Sequence, residues 1–283
     1  MSMLLHLAKF TLFLSVSYAA YSEVSREIAI TIDDLPFVAA SYKNEAAIQR
    51  THDRFMEILQ ALVNHQVPAT GFVIGGAIGR GEWELLEAFH QAGFTIGNHT
   101  YTHLNLNQTS ADRYISDIAR TDKKLTSLLS HPKYFRYPYL AEGKGATKNL
   151  VQDYLSKNDY VIAPVTIDSK DYRFNEELYH VAYRSRPDYI PRLKERYLAY
   201  IWQQTERAEK QANGKPVKQI LLLHANLLNS HCLNDILDMY QAHGYKFITL
   251  QKALSNPAPA IVAPVPVEED TKSSTMEQAD RSF

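Results

Sequence analysis

The sequence predicts an α/β fold of about seven parallel strands, either a closed or nearly closed barrel or an open doubly wound sheet. Three observations carry that expectation. Short apolar, β-branched runs alternate about seven times with stretches of helical periodicity, the pattern of parallel strands joined by helices. The chain has 283 residues, 45% apolar and 22% charged, which is ordinary globular composition with material for a sizeable core. Polar residues able to do chemistry stand at the ends of the apolar runs.

Residues 27–33 read as a buried first strand. Residues 45–65 place Phe55, Ile58, Leu59 and Leu62 at helical spacing. A second strand over 69–74 ends at Gly75 and Gly76, and a helix over 83–91 is closed by Gly93. Residues 94–97 form the third strand, and Ser110 is the expected N-cap of a helix reaching residue 129. Strand four covers 134–136, a short helix 147–157, and strand five 160–167. One long helix lies within 187–213 and ends near Gly214. The sixth strand over 219–223, a helix over 233–242 and a seventh strand over 246–250 complete the alternation. Asp33-Asp34-Leu35-Pro36 follows the first strand where a nucleotide-binding fold carries a glycine-rich loop, which counts against a dinucleotide or P-loop site. No solenoid-type repeat is present.

The ends of the chain differ from its middle. Residues 1–19 hold a short apolar run, Thr11-Leu-Phe-Leu-Ser-Val16, preceded by Lys9 and followed by the small residues Ser17 and Ala19. That pattern predicts a signal peptide and a secreted or periplasmic protein, with no stable membrane insertion after cleavage. The catalytic domain is expected over 24–255. Residues 256–283 begin Asn-Pro-Ala-Pro and lack any period, so a disordered tail is expected there. Thirty basic residues against thirty-one acidic ones create no field that draws the chain to nucleic acid. The single cysteine, Cys232, forms no internal disulfide.

Asp33 and Asp34 end strand one, His99 and His103 follow strand three, and Arg136 ends strand four. Asp168 and Asp171 follow strand five, and His224 ends strand six. In a parallel barrel all of these positions face one rim, where active sites are built. His99-Thr-Tyr-Thr-His103 sets two imidazoles four residues apart, adjacent if the segment is a helical turn. Two imidazoles and one carboxylate make a three-ligand site for a divalent metal with room for water, and either Asp33 or Asp34 is the natural third ligand. Adjacent strand residues point opposite ways, so one carboxylate can bind metal while the other faces the water.

These residues fall into five motifs that resemble those of the polysaccharide deacetylase family, carbohydrate esterase family four. They are Thr31-Ile-Asp33-Asp34-Leu-Pro36, Gly97-Asn-His99-Thr100-Tyr-Thr-His103, Arg136-Tyr-Pro138-Tyr139, Asp168-Ser-Lys-Asp171-Tyr172 and Leu222-Leu-His224, in the family's order. The resemblance implies a distorted (β/α) barrel and a metal-dependent hydrolase that removes N-acetyl or O-acetyl groups from glycans such as peptidoglycan or chitin-like sugars. It implies Asp34, His99 and His103 as metal ligands, with zinc first and cobalt, manganese or nickel as alternatives. Asp33 is then the general base, oriented by Arg136, and the backbone N–H of Tyr139 stabilises the oxyanion. His224 is the general acid, oriented and raised in pKa by Asp171. Leu222 lines the acetyl pocket, and Thr100 stabilises the histidine loop. Leu35 stands where the family usually has glycine, and Tyr172 where it usually has tryptophan; both bear on the substrate rather than the reaction.

Plainer roles compete for some of these residues. Asp168 fits a loop carboxylate fixed by local hydrogen bonds. The histidines outside the motifs read as structural or exposed, and the 18 tyrosines as core or interface residues rather than a sugar platform. The charged segment 173–214 reads as a solvated crossover helix or a wall of the cleft. Rival functions are a hydrolase of a non-sugar amide on the same fold, and a non-catalytic carbohydrate-binding protein. A two-carboxylate glycosidase is disfavoured, because adjacent aspartates do not flank a glycosidic bond.

Overall fold

The computed structural model describes residues 25–38 and 44–261. The expected signal peptide and most of the expected tail lie outside them. The chain runs β1 (Arg26–Leu35), α1 (Glu45–Asn64), β2 (Thr70–Val73), α2 (Trp83–Gln91), β3 (Thr95–Asn98) and α3 (Ala111–Leu125). It continues through β4 (Lys133–Phe135), α4 (Gly145–Lys157), β5 (Tyr160–Ile162), β6 (Ile167–Asp168), α5 (Asp171–His180) and α6 (Arg186–Gln211). It closes with β7 (Lys218–His224), α7 (Leu227–Ala242), β8 (Tyr245–Phe247) and α8 (Leu250–Ala253). Every strand pairing is parallel, in the order β5-β4-β3-β2-β1-β7-β6, with β8 also paired to β1. The sheet curls into the distorted barrel that the alternation and the motifs predict.

β1 is the axis of this sheet. It pairs with β7 from Glu27 opposite Lys218 to Asp33 opposite His224. Its other edge is shared, with β8 along Arg26–Ile28 and β2 beyond Thr31. The strand pleat sorts its side chains between two cores. Ile28, Ile30 and Ile32 join the outer core under the helices, where Phe55, Leu62 and Ile236 also lie. Ala29 faces the inner core with Phe72, Tyr134 and Ile220. The same alternation carries Thr31 and Asp33 inward, opposite Leu222 and His224 of β7.

The expected fifth strand is one segment that serves two edges. β5 pairs with β4 and β6 with β7, at opposite ends of the sheet. Between them Ala163 N–H donates to Phe135 O at 2.8 Å and Thr166 N–H to Ile220 O at 3.0 Å. Pro164 has no N–H, so the ladder breaks there and the chain crosses the seam of the barrel.

Several helix boundaries differ from the sequence expectation. α3 starts after Ser110, whose side chain makes no capping bond, and ends at Leu125; Leu129 instead bridges to Ile96. α5 was not anticipated as a separate helix. α7 begins at Leu227, six residues before the expected start, because the Asn226 side chain caps it by accepting Asn229 N–H at 2.9 Å. Within the segment 173–214, α6 is not solvated all round. Its buried stripe, Leu193, Tyr197, Ile201, Thr205 and Ala208, packs toward the barrel.

The expected tail does not begin at Asn256. Asn256 O accepts Lys218 N–H, Ala258 N–H donates to Lys218 O at 2.9 Å, and Ile261 N–H donates to Val165 O at 2.7 Å. Residues 256–261 therefore strap the open edge of β7 and reach the seam. A chain truncated after Asn256 is expected to be about 1–3 kcal/mol less stable to urea than one truncated after Ile261, from the lost backbone bonds and the burial of Ala258. Equal midpoints for the two truncations would show that the strap contributes nothing.

Candidate active site

All five motifs converge on the C-terminal rim of the barrel. Asp33, Asp34, His99, His103, Tyr139, Tyr172, Leu222 and His224 line one cavity of about 480 Å³. Arg136 and Asp171 lie directly behind the wall, 1% and 0% exposed.

The two imidazoles meet, though not on a helical turn. Residues 99–103 form a loop in which Thr100 and His103 take left-handed backbone angles, with φ of 63° and 55°. The loop is held from outside. The Asp117 carboxylate accepts Tyr101 N–H at 2.9 Å and Thr102 N–H at 2.8 Å. Asn98 Oδ1 accepts Thr100 N–H at 2.9 Å, and Gly75 N–H donates to Thr100 O at 3.0 Å. A Cβ on Gly76 would sit 2.5 Å from Tyr101 O, so the glycine pair after β2 permits the loop to pack this closely. The expected role of Thr100 is carried by its backbone; its buried hydroxyl makes no hydrogen bond among the described residues. Asp117 and Asn98 were not singled out in the sequence, because nothing in a helix interior or at a strand end marks a side chain as a loop clamp.

His99 Nδ1 lies 2.8 Å from Arg136 O. A carbonyl only accepts, so Nδ1 carries the proton and Nε2 presents a lone pair to the cavity. Asp34 Oδ1 stands 3.4 Å from that Nε2 and 3.3 Å from His103 Nε2. The oxygen is buried and has no hydrogen-bond partner among the described residues. Burial alone would raise the Asp34 pKa, but the surrounding imidazoles, when protonated, hold it well below the usual carboxylate range. An anionic oxygen facing an imidazole lone pair in a buried site calls for a cation between them. Ligand atoms of a tetrahedral centre with bonds of about 2.0–2.1 Å are about 3.3–3.4 Å apart, which these separations match. Asp34, His99 and His103 therefore fit a divalent metal, and their ligand atoms all lie within 4.8 Å of one another.

Asp33 and Asp34 both face the cavity, although strand alternation would send them to opposite faces. Asp34 has φ of 62°, and the β1–β2 register shifts between Ile32 and Leu35. The twist turns the second carboxylate back toward the first. Asp33, 2% exposed, receives Arg136 Nη1 at 3.3 Å and 3.4 Å on its two oxygens. The same guanidinium donates from Nε to Ala163 O at 2.7 Å and from Nη2 to Thr31 Oγ1 at 3.2 Å. Burial lowers the Arg136 pKa and the charge of Asp33 resists that.

Across the cavity, Asp171 Oδ1 accepts His224 Nδ1–H at 2.6 Å and Oδ2 accepts His224 N–H at 2.6 Å. Burial opposes charge on this imidazole, but Asp171, by charge and hydrogen bond, outweighs it; with Asp34 and Asp33 it pushes the pKa up to about 10. Asn226 and Asn229 also donate to Asp171 Oδ2, at 3.2 Å and 2.6 Å, and neither was marked in the sequence. Asp168 does what its local reading predicts: Oδ1 accepts Lys170 N–H at 2.9 Å and Oδ2 pairs with Lys170 Nζ at 2.6 Å. Tyr139, at φ 57°, lays its ring 4.5 Å from that of His103. Tyr139 and Tyr172 are the half-exposed aromatics of the mouth, and Leu222 is buried in its floor.

A parallel, seamed barrel with two imidazoles and paired carboxylates at its C-terminal rim defines a class of barrel proteins built around one candidate metal centre. The polysaccharide deacetylase family model matches residues 21–160, and the chain belongs to that family. The chain is 28% identical over 148 residues to a Bacillus cereus peptidoglycan-N-acetylglucosamine deacetylase, covering 52% of this chain and 46% of that one. The chain spans about half the length of the curated relatives it matches. The structure of the chitin deacetylase from Colletotrichum lindemuthianum superposes with a TM-score of 0.55 at 22% identity, over 81% of this chain and 87% of that one. A mutant of a pseudoenzyme from carbohydrate esterase family four superposes equally well, at 0.55 and 19% identity over 81% and 67% of the two chains, so the fold by itself does not decide activity.

Saturating zinc, at about a hundredfold excess over its Kd, is expected to raise the thermal midpoint of this protein by about 5–10 °C. His99→Ala and Asp34→Asn are expected to abolish the shift and the bound zinc measured by elemental analysis. Retained stoichiometric zinc in either variant would remove that residue from the ligand set.

Proposed function

We propose that this protein is a secreted or periplasmic, metal-dependent deacetylase that removes acetyl groups from an N-acetylated glycan such as peptidoglycan or a chitin-like oligomer. The observation that carries the reading is the pairing of two opposed machines across one cavity. The Asp34–His99–His103 triad with Asp33 stands on one side and the Asp171–His224 pair on the other. The assignment to an exported glycan substrate draws on the family membership and on the signal-like pattern of residues 1–19.

Asp34, His99 and His103 would hold a divalent metal, zinc by the preference of this donor set, which when bound would supply Lewis acidity toward the acetamide carbonyl and toward water. Asp33 takes the proton of the attacking water. Arg136 holds Asp33 aimed by bonding both its oxygens, so the base is placed without reorganisation. The backbone N–H of Tyr139 donates to the oxyanion that forms at the acetyl carbon. His224 carries a proton on Nε2 and delivers it to the departing amine nitrogen, while Asp171 keeps Nδ1 protonated and the ring oriented. Leu222 gives the acetyl methyl an apolar seat. Tyr172, with Lys170 and Arg173 about its ring, shapes the groove for the sugar.

Acetate release by the zinc-reconstituted chain tests the reading, using chitooligosaccharides, peptidoglycan fragments and small non-sugar amides. Release from the glycans alone is expected; release from the amides alone assigns the chain to the non-sugar hydrolases, and no release at all to the non-catalytic binders. Asp33→Asn is expected to cut turnover at least about a hundredfold while zinc stays bound. Turnover at the wild-type rate would exclude Asp33 as the base. The acid needs His224 protonated, and Asp171 raises its pKa. Asp171→Asn is therefore expected to move the alkaline limb of the pH–rate profile to lower pH, and a limb that stays in place would separate Asp171 from the acid.

A further inference from the structure

We propose that Asn229 is a positioning residue for proton delivery, its side-chain amide clamping Asp171 and the end of β7 into the geometry that His224 needs. The proposal rests on the deacetylase reading above. Asn229 lies in the first turn of α7 and is 2% exposed. Its Nδ2 donates to Asp171 Oδ2 at 2.6 Å and to His224 O at 2.8 Å. Its Oδ1 accepts the Tyr197 hydroxyl at 3.0 Å. An amide offers two N–H donors and a carbonyl, and all are engaged. The orientation is forced: turned over, the carbonyl would face a carboxylate and a second carbonyl. Tyr197 remains a donor because burial, with the charge of Asp171 adding to it, pushes its pKa well above the usual value.

This clamp joins three elements at one point. Asp171 comes from α5, His224 from β7 and Tyr197 from α6. Asp171 is fully buried, and an ionised carboxylate only accepts, so donors alone decide how it is turned. Asn229 supplies the donor that also grips the peptide carrying His224. A carboxylate fixed relative to that peptide fixes the imidazole between them. The long crossover helix thus reaches the acid through one hydroxyl.

The test compares two acetyl donors on the zinc-reconstituted full chain. An acetamide, as in a chitooligosaccharide, expels an amine and needs the proton of His224. An aryl ester, 4-nitrophenyl acetate, expels a stable phenolate and needs none. Asn229→Leu is expected to lower kcat on the acetamide about tenfold to a hundredfold, with KM and aryl-ester hydrolysis within about twofold of wild type. Tyr197→Phe, which deletes one hydroxyl, is expected to change the acetamide rate in the same direction by about threefold to tenfold, and it carries the test if Asn229→Leu does not fold. Equal losses on both substrates, or no loss on the acetamide, would overturn the assignment. A wild-type chain that cleaves neither substrate would overturn the deacetylase reading and the assignment with it, whereas an active wild type with indifferent variants would overturn the assignment alone.

Discussion

One buried guanidinium holds this barrel and its site together. Arg136 sits under the cavity against the face of Phe72, 4.7 Å from the ring centre. Its side chain binds the carbonyls of Ala163 and Pro164, where the chain crosses the seam, and the hydroxyl of Thr31 and carboxylate of Asp33 on β1. Its own carbonyl receives the His99 Nδ1 proton. A charge so deeply buried is costly unless every donor is used and an anion is near. The fold meets that demand with groups that are themselves fixed by it: the Asp33 carboxylate, the tautomer of His99 and the closure of the sheet. The seam and the chemistry depend on the same residue, so a change that loosens one loosens the other.

The rim stores backbone strain where the functional groups are. Asp34, Thr100, His103, Tyr139 and Lys170 all adopt left-handed angles that non-glycine residues disfavour. Each stands in or beside a motif. Asn98 and Asp117 secure the histidine loop, while the Asp168 carboxylate secures the turn before α5. Strand ends alone would place side chains at a spacing of two residues and on alternating faces. The strained residues are what turn two adjacent aspartates into one cavity and bring two histidines to a common point.

The two sides of the cavity are tuned in opposite directions. Around Asp34, imidazoles favour the carboxylate in its ionised form, and a guanidinium pairs with Asp33 beside it. Around His224, carboxylates favour the imidazolium. An ionised carboxylate and an imidazolium are therefore favoured within one pocket, because each has opposite charge beside it. α5, α6 and α7 supply the support on the His224 side, and the helices and loops beside β2 and β3 supply it on the Asp34 side.

Period and residue type alone determined much of this. Alternating strands and helices gave the parallel barrel, because a parallel strand pair requires a crossover and the crossovers here are helical in pattern. Polar residues at strand ends located the rim, because parallel strands all end on one face. The five motifs picked out Asp33, Asp34, His99, His103 and His224, and the structure brings all of them to one cavity. Tertiary structure decided what no local pattern encodes. The histidines meet across a left-handed loop and not on a helical turn. The fifth strand divides at Pro164 to serve both edges, and the presumed tail straps β7 as far as Ile261. Asn98, Asp117, Asn226 and Asn229 also bond partners 16 to 62 residues away in sequence, and such long-range hydrogen bonds leave no periodic signature. The chain fixes which chemical groups are available, but their orientation is set by contacts that exist only once distant segments have packed.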